Sequence, residues 1–494
     1  LSYLMTAIAK YILRKERLPL TNLLYSGGGH FYLIMPLSFM KKLNEYRREM
    51  DALFLEAHRG KLAMLLSCVP LKPADFMDGQ GRLPEKFNRL AELLQDEKNK
   101  KFYSVLKEEP GKIFGPFEEK GEPCPHCGYA THEDECGFCK SFEALGESLI
   151  KKKFLVEKWD DGGKNEKPVR RVQDIFEKLG LKLEFTDEPP GSGYRFAIKR
   201  EALDLTRCCG YLQIPVGMKQ DREGNIITFD QISDSARGIK VWGVLRGDVD
   251  NLGSIFKDGL GEITSFSRII TLSQEVSQFF NSNLELLLDG LHEADRFHNY
   301  ENCSVVYAGG DDFFIVGPWD ALPYVAEHIN GEFRKYVGFN PAVTLSIAFE
   351  IAPDRKFPLY RVALSAGENL DEAKHFREEK NCFAFLGMPI GWENYEKFKE
   401  LKEKITEVLV RYKVSRSLLS IVYRAFREYE TSLESGEIYR SWRLFYYIAR
   451  LKERCGKEAQ EILDQILCAL IEKDNRLYPY GFLSARWAEF ETRR

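Results

Sequence analysis

One short pattern occurs twice in the sequence at a constant spacing, and it constrains the fold more than any other feature. Apolar runs flank a group of glycines at residues 23–34 and again at residues 305–316, which is the pattern of a β-hairpin. A shift of 282 residues (307 − 25) places Tyr25 on Tyr307 and aligns the two occurrences of the string Glu-Lys-Asn without a gap. Identities that recur at one spacing indicate an internal duplication. We therefore predict two copies of one α/β domain.

The two copies differ where the hairpin turns. Residues 309–312 read Gly-Gly-Asp-Asp, whereas residues 27–30 of the first copy read Gly-Gly-Gly-His. Glycines let a bulky, charged ligand approach the backbone, so Gly309 and Gly310 are candidate nucleotide contacts. Adjacent carboxylates suit Mg²⁺, which takes oxygen ligands together with the phosphates of its substrate. The second copy is therefore the candidate for metal-dependent nucleotidyl transfer, and the first copy is predicted to hold no such metal.

An apolar strand before the second hairpin supplies a third acid. Residues 239–245 lead into the run Arg-Gly-Asp-Val-Asp-Asn-Leu-Gly, which contains Asp248 and Asn251. An antiparallel arrangement would bring Asp248 to the hairpin acids around two metal ions. Asn251 follows on a turn, from which it could contact a base or a ribose. Lys374, on a later helix, is a candidate anchor for a triphosphate, although a solvated helical lysine explains it equally well.

Four cysteines between the two copies have the spacing of paired metal-binding knuckles. They are Cys124, Cys127, Cys136 and Cys139, in the pattern C-x2-C-x8-C-x2-C. Four thiolates can bind Zn²⁺ tetrahedrally and leave no position open for water, so we expect a structural zinc. A redox pair or disulfides are the alternatives, but duplicated knuckles in a chain of eleven cysteines fit a reducing compartment better.

Composition and patterning place the remaining segments. The net charge of −4 gives no overall basic field, so nucleic-acid contact must come from a local patch or from partner subunits. No apolar run reaches membrane-spanning length and no signal-peptide pattern is present, so we expect a cytoplasmic protein without membrane contact. From Trp392 onward helical periodicity dominates, and its Lys/Arg-rich faces could be solvated surface or a docking face. The predicted domains are residues 1–110 (first, degenerate copy), 111–235 (zinc-binding linker and mixed α/β domain), 236–391 (second copy) and 392–494 (helical domain).

The beginning of the chain also has a counterpart in the second copy. A helix is predicted over residues 2–16, and it matches a single amphipathic helix in the second copy with Ile269, Val276 and Leu287 on one face. In the second copy a strand precedes that helix. We therefore expect the first strand of the first copy to lie before Leu1.

These motifs resemble a known domain. The Gly-Gly-Asp-Asp hairpin, the Arg-Gly-Asp-Val-Asp-Asn-Leu-Gly turn and the Ala-Lys pair on a later helix resemble the palm shared by diguanylate-cyclase-type nucleotide cyclases and palm polymerases. Two palms in one chain, with a four-cysteine element between them, resemble the large subunit of type III-A CRISPR–Cas effector complexes, the Csm complex, along essentially the whole chain. The resemblance implies an α+β multidomain fold: two ferredoxin-like palm domains of nucleotide-cyclase type, a zinc-binding α/β linker domain and a C-terminal helical bundle.

The resemblance also implies an activity. In that family, an RNA-guided antiviral complex makes cyclic oligoadenylates from ATP when target RNA binds, so this chain would be a nucleotidyltransferase whose partners are other Csm subunits, guide RNA and target RNA. The ligands for two Mg²⁺ or Mn²⁺ ions map to Asp248, Asp311 and Asp312. The first-palm glycine turn, which helps to hold a second ATP, maps to Ser26, Gly27, Gly28, Gly29 and His30. His30 also fits an ordinary hairpin residue.

One departure and two alternatives accompany this interpretation. The family usually carries an N-terminal HD nuclease domain, but the sequence contains no His-Asp doublet, so we expect no HD-type single-stranded DNase activity from this chain. A diguanylate-cyclase-like enzyme is the first alternative, although such enzymes use two competent palms. A non-catalytic scaffold of a ribonucleoprotein is the second, but it leaves the three acids unexplained.

Overall fold

The structure is a computed structural model of the 494-residue chain. It describes all residues except 1, 28, 77–81, 116–120, 129, 161–166, 189–192, 213–216, 222, 260–264, 295–297, 473–475 and 494. Within these ranges, no helix is both long enough and apolar enough to cross a membrane.

Helices make up most of the regular structure. They are α1 Ser2–Lys15, α2 Leu43–His58, α3 Arg82–Lys98, α4 Tyr103–Glu108, α5 Gly111–Phe114, α6 Gly137–Lys151, α7 Val172–Lys178, α8 Phe229–Ser235, α9 Leu252–Asp258, α10 Phe266–Gln278, α11 Leu284–Ala294, α12 Leu322–Tyr336, α13 Leu359–His375, α14 Trp392–Val410, α15 Ser417–Ser435, α16 Trp442–Lys452, α17 Lys457–Leu470 and α18 Gly481–Thr492.

The strands are shorter and, within the described ranges, form four sheets. They are β1 Leu23–Gly27, β2 His30–Leu33, β3 Glu122–Pro123, β4 Ala130–Thr131, β5 Phe154–Trp159, β6 Leu181–Thr186, β7 Tyr194–Ala197, β8 Gly210–Tyr211, β9 Trp242–Val249, β10 Ser304–Gly309, β11 Asp312–Pro318, β12 Leu345–Ile351, β13 Cys382–Phe385 and β14 Met388–Gly391. The sheets have the orders β1-β2, β3-β4, β6-β5-β7-β8 and β10-β11-β9-β12-β13-β14.

The chain divides into two compact units. The first contains Leu1–Val216, Leu252–Ser282 and Gly309–Asp311, and the second contains Gly217–Asn251, Asn283–Ala308 and Asp312–Arg494. In the first unit, α1, α2 and α7 share a core in which Ile8, Tyr46 and Ile175 are almost completely buried. The helix α10 lies against β1 within this same unit.

The duplication is visible in the order of the elements. A shift of 282 residues carries α1, β1, β2, α2 and α3 onto α11, β10, β11, α12 and α13, each within a few residues. The copies are not equivalent, however. The residues at 63–69, which correspond to β12, form no strand, and the first copy has only the two-stranded sheet β1-β2 among the described residues.

The second unit is built on the six-stranded sheet. Its central strands β9, β11 and β12 are buried along most of their length because both faces are covered, and they therefore read as continuous apolar runs. On one face Val244, Phe314 and Val316 pack against Val362 and Ala366 of α13. The C-terminal helices join the same unit, where Trp487 of α18 packs on Phe385 of β13 with ring centroids 5.2 Å apart.

The single helix predicted after β9 is wrong in detail. The structure has α9, α10 and α11 there, and residues 279–283 between α10 and α11 form a π-helical turn. The apolar spacing persists across the π turn, because Phe279 and Phe280 at its start are both buried. Sequence periodicity alone therefore did not reveal the interruption.

Candidate functional site

Two of the predicted acids meet across neighbouring strands. In the antiparallel pair β11–β9, Asp312 is the register partner of Asp248, and Ser346 of β12 pairs with Asp248 from the other side. Register partners project from the same face of a sheet. The backbone therefore places the Asp248 and Asp312 carboxylates side by side at one end of the sheet, on the face that α13 covers.

The turn between β10 and β11 depends on a glycine. Gly310 has φ +67°, the left-handed region that favours glycine, and the two residues Gly310 and Asp311 connect the strands. Glycine at the first central position is typical of a type II′ hairpin turn. Gly309 ends β10, so both predicted glycines lie at the turn, and Asp311 immediately precedes Asp312.

Lys374 reaches this site from α13. Its Nζ donates a hydrogen bond to Oδ1 of Asp248, and 17% of the lysine side chain and 33% of the aspartate side chain are exposed. Lys374 is therefore not a solvated helical lysine. In this structure, however, its partner is the predicted metal ligand itself.

Burial and charge change the acidity of Asp312. Burial raises its pKa, the neighbouring Asp248 carboxylate raises it further, and Arg246 lowers it. The hydroxyl of Tyr307, from β10, donates to Asp312 Oδ2 at 3.1 Å and favours the charged form. A carboxylate whose ionisation is opposed by a neighbouring carboxylate is a suitable ligand for a cation.

The second aspartate of the Asp-x-Asp motif has another role. Asp250 is fully buried, and its Oδ2 accepts hydrogen bonds from Thr344 Oγ1 at 2.8 Å, Ser346 Oγ at 3.0 Å and the Asn381 backbone N–H at 3.1 Å. It therefore ties the end of β9 to β12 and β13, close to Asp248. Asn251 follows it with φ +55° and is exposed, as a residue in contact with a ligand would be.

The glycine turn of the first copy lies in the first unit. The hydroxyl of Ser26 is 2.8 Å from that of Thr6 on α1, and Gly29 has φ +74° in the turn. A Cβ on Gly27 would lie 2.6 Å from the Tyr25 hydroxyl, so that position favours glycine. Gly28 lies outside the described residues, and His30 begins β2 with an exposed side chain.

The four predicted zinc ligands converge. The sulfur atoms of Cys124, Cys127, Cys136 and Cys139 all lie within 4.8 Å of one another. Cys136 caps α6, where its sulfur accepts the N–H of Cys139. The backbone N–H of Cys136 lowers the pKa of the Cys124 thiol to about 6, whereas burial and the neighbouring sulfurs raise the pKa of Cys139. Four cysteine sulfurs at this separation are compatible with zinc.

Sequence reasoning missed two side chains at the acidic end of the sheet. Tyr307 was treated only as part of an apolar run, yet its hydroxyl contacts Asp312. Arg246 was read only as part of a motif, yet it lies two residues before Asp248 on β9 and so shares its face. The twofold periodicity of the strand could have placed Arg246, whereas the contact of Tyr307 depends on the hairpin register.

Comparison with known proteins agrees with these features. A family model for the second palm domain of Cas10/Cmr2 matches residues 241–384, and one for domain B of the Csm1 subunit matches residues 1–118. A curated relative from Methanocaldococcus jannaschii, described as the CRISPR system single-strand-specific deoxyribonuclease Cas10/Csm1 of subtype III-A, is 28% identical over 459 residues. The match covers 81% of this chain and 56% of the relative, so the chain spans little more than half the length of that relative.

Solved structures show the same fold. A Csm1–Csm4 cassette in complex with pppApA superposes with a TM-score of 0.72 at 19% identity, covering 100% of this chain and 65% of the other. A Csm1–Csm4 cassette in complex with cA4 gives a TM-score of 0.70 at 19% identity, with the same coverage. These comparisons confirm the predicted resemblance and a mixed α+β multidomain fold that contains a palm.

Proposed function

The chain belongs to the Cas10/Csm1 family of type III-A CRISPR–Cas large subunits, and on that premise we propose that its second palm makes cyclic oligoadenylates from ATP. The proposal includes activation by target RNA within an RNA-guided complex that contains other Csm subunits and a guide RNA. Related structures support the choice of nucleotide, because Csm1–Csm4 cassettes have been solved with ATP and with cA4.

The observation that carries this proposal is the register of β9 and β11. It pairs Asp248 with Asp312 on one face, and Lys374 of α13 contacts Asp248. Opposed carboxylates fit a divalent cation, and the cation of Lys374 suits a phosphate. No single stretch of sequence contains these three side chains, so the fold itself assembles them.

We propose that Asp248 and Asp312, with Asp311 from the turn, hold Mg²⁺ or Mn²⁺. When bound, such ions neutralise phosphate charge and increase the acidity of an attacking hydroxyl. The chain supplies the rest: Tyr307 orients Asp312 through its hydroxyl, and the glycines at 309 and 310 leave room for the nucleotide. Lys374 would exchange its contact with Asp248 for a phosphate oxygen, and Asn251 would contact the base or ribose.

For the first palm, we propose that Ser26, Gly27, Gly28, Gly29 and His30 present a second ATP. The Ser26–Thr6 hydroxyl contact supports this proposal, because it fixes the start of the turn against α1. This second ATP would be the other substrate when a 3′-hydroxyl is joined to an α-phosphate.

Two further parts of the proposal concern organisation. We propose that the four clustered cysteines bind a structural Zn²⁺, supported by the separation of their sulfurs. We also propose the domain boundaries 1–110, 111–235, 236–391 and 392–494. The expectation that this chain has no HD-type nuclease activity stays a prediction.

The test is the nucleotide product itself. The purified chain, alone and within its RNA-loaded complex, is given ATP or GTP with Mn²⁺, and the products are identified by mass spectrometry. We expect cyclic oligoadenylate from ATP, and its reduction to background in the double variant Asp311→Ala, Asp312→Ala. Asp464→Asn, on α17 of the helical domain, is the matched control and should retain activity.

Each of the other outcomes would contradict a specific part of the proposal. Product from the double variant would contradict the site assignment. A cyclic dinucleotide from GTP would favour the diguanylate-cyclase alternative. No product from either nucleotide in the complete complex with target RNA would favour the scaffold.

A further inference from the structure

Arg246 occupies an unusual place for an arginine. It lies near the middle of the central strand β9, paired in register with Phe314 of β11 and Ala348 of β12. It is partly buried, and it points to the same face as Asp248, two residues further along. The face between the sheet and α13 therefore contains a cation next to the candidate metal ligands.

A glycine of α13 makes room for the guanidinium group. A Cβ built on Gly367 would lie 2.6 Å from Nη1 and 3.5 Å from Cζ of Arg246, so a larger residue would displace the arginine. Glycine inside a helix costs about 1 kcal/mol relative to alanine. A glycine at this position, one turn before the buried Leu370, is thus explained by the space that the guanidinium needs.

The guanidinium group of this partly buried arginine makes no hydrogen bond to the protein among the described residues. Among the described residues, no carboxylate or carbonyl accepts a hydrogen bond from Arg246, although it has five N–H donors. Its influence on the site is electrostatic: it lowers the pKa of Asp312 and opposes the rise in the pKa of Tyr307. The guanidinium nitrogens are not closed off from solvent, so an anionic ligand can reach them.

The charges of the site lead to the same conclusion. Asp248, Asp311 and Asp312 contribute three negative charges, and Arg246 and Lys374 contribute two positive ones, so one divalent cation on the acids is enough to make this group net positive. A divalent cation on the acids would leave both basic side chains beside additional positive charge. Phosphate oxygens restore the balance, and the planar guanidinium fork matches two of them at once.

We propose that Arg246 is a phosphate-binding residue of the second palm. Its guanidinium, held in the space that Gly367 provides, contacts the polyphosphate of a nucleoside triphosphate. The inference rests on the proposed function for the nature of the nucleotide, but not for the phosphate contact. Lys374 and Arg246 then act on different oxygens, one from the Asp248 end of the site and the other from the middle of the strand.

The experiment measures phosphate binding separately from synthesis. Binding of inorganic tripolyphosphate and of the ATP analogue AMPPNP, each with Mg²⁺, is measured by calorimetry for the wild type, Arg246→Gln and Arg246→Lys. We expect Arg246→Gln to weaken both ligands at least tenfold and Arg246→Lys to recover part of the loss, whereas adenosine binding should not change. Arg361→Gln, on the exposed side of α13, is the matched control.

A second variant tests the space rather than the charge. Gly367→Ala leaves Arg246 in the chain but displaces its guanidinium, so it should weaken tripolyphosphate binding in the same direction. Thermal unfolding of each variant checks that the palm remains folded. If Arg246→Gln does not fold, tripolyphosphate binding by Gly367→Ala tests the proposal instead. Wild-type affinity in both variants, or no tripolyphosphate binding by the wild type, would overturn the proposal. Tripolyphosphate binding that depends on Arg246 in a chain that makes no oligoadenylate would overturn the proposed function alone.

Discussion

Lys374→Met should separate metal binding from nucleotide binding at the second palm. In the structure the Nζ of Lys374 donates a hydrogen bond to Oδ1 of Asp248. A divalent cation would have to displace the lysine from that oxygen in order to bind there. Removing the lysine should therefore increase metal affinity in the absence of nucleotide. The same variant should lower the affinity for ATP, because a phosphate would lose its cation.

The expected increase in metal affinity follows from the environment of the Lys374–Asp248 pair. The direct Coulomb attraction of two charges in contact is about 5 kcal/mol at an effective dielectric constant of about 20. Much of it is offset by desolvation, and hydrogen bonds to charged groups contribute about 1.5–3 kcal/mol net. The side chains are 17% and 33% exposed, so this range applies without the strong screening of a surface pair. It corresponds to metal binding roughly 10- to 150-fold tighter.

Mn²⁺ binding measured by electron paramagnetic resonance, with zinc already supplied, tests this reasoning. We expect tighter Mn²⁺ binding in Lys374→Met than in the wild type, and loss of that binding when Asp312→Asn is added. Lys335→Met removes an exposed lysine that pairs with Glu332 on its own helix, and it should leave Mn²⁺ affinity unchanged. Unchanged or weaker Mn²⁺ binding in Lys374→Met would refute the idea that lysine and metal compete for Asp248.

Two further predictions concern the zinc cluster and a buried acid. Cys127→Ser should reduce bound zinc from one ion per chain to near zero by elemental analysis and lower the thermal midpoint, since structural zinc contributes folding free energy; retention of one zinc per chain would contradict the four-sulfur assignment. Asp320 is almost completely buried, and burial raises its pKa from 3.8 to about 6, so the folded state keeps the proton longer and stability is lost as pH rises from about 4 to 6. Asp320→Asn can still accept the Arg237 backbone N–H through its Oδ1, so it should match the wild type near pH 4 and exceed it by up to about 3 kcal/mol above pH 6.5 in denaturant unfolding. A difference in stability between Asp320→Asn and the wild type that does not change with pH would show that it is not caused by desolvation of the charged carboxylate.

Local patterns in the sequence were sufficient for the hairpins and for several of the helices. The Gly-Gly turn between apolar runs predicts β10 and β11, and the shift of 282 residues relates α2 to α12 and α3 to α13. The repeat could not show that the first copy lacks a strand at residues 63–69. A strand forms only where neighbours accept its hydrogen bonds, and that condition is set by the rest of the sheet rather than by the segment.

The contacts of the site were harder to predict because they join distant parts of the chain. Arg246 and Gly367 are 121 residues apart (367 − 246), and nothing in either segment indicates that α13 approaches β9 at that point. Asp250 belongs to the same sequence motif as Asp248, but it is buried because Thr344, just before β12, and Ser346 of β12 supply its donors. Sequence patterns indicated which residues could act, and the packing of α13 determines which of them meet.

The comparison of Lys374 with its counterpart in the first copy shows how the two halves diverged. The same shift places Glu92 at this position of α3, where it pairs with Arg89 one turn away and 64% of its side chain is exposed. In the first copy this position lies on ordinary solvated helix surface. The alternative interpretation of Lys374 predicted the same environment for the second copy. A lysine gains from this position when a carboxylate lies beneath it, as Asp248 does beneath Lys374. The hairpin of the first copy has Gly29 and His30 in place of Asp311 and Asp312, the acids that accompany Asp248 in the second copy. Loss of the acids thus removes the reason to keep the cation, and we expect restoring a lysine by Glu92→Lys to confer no metal or tripolyphosphate binding on the first copy.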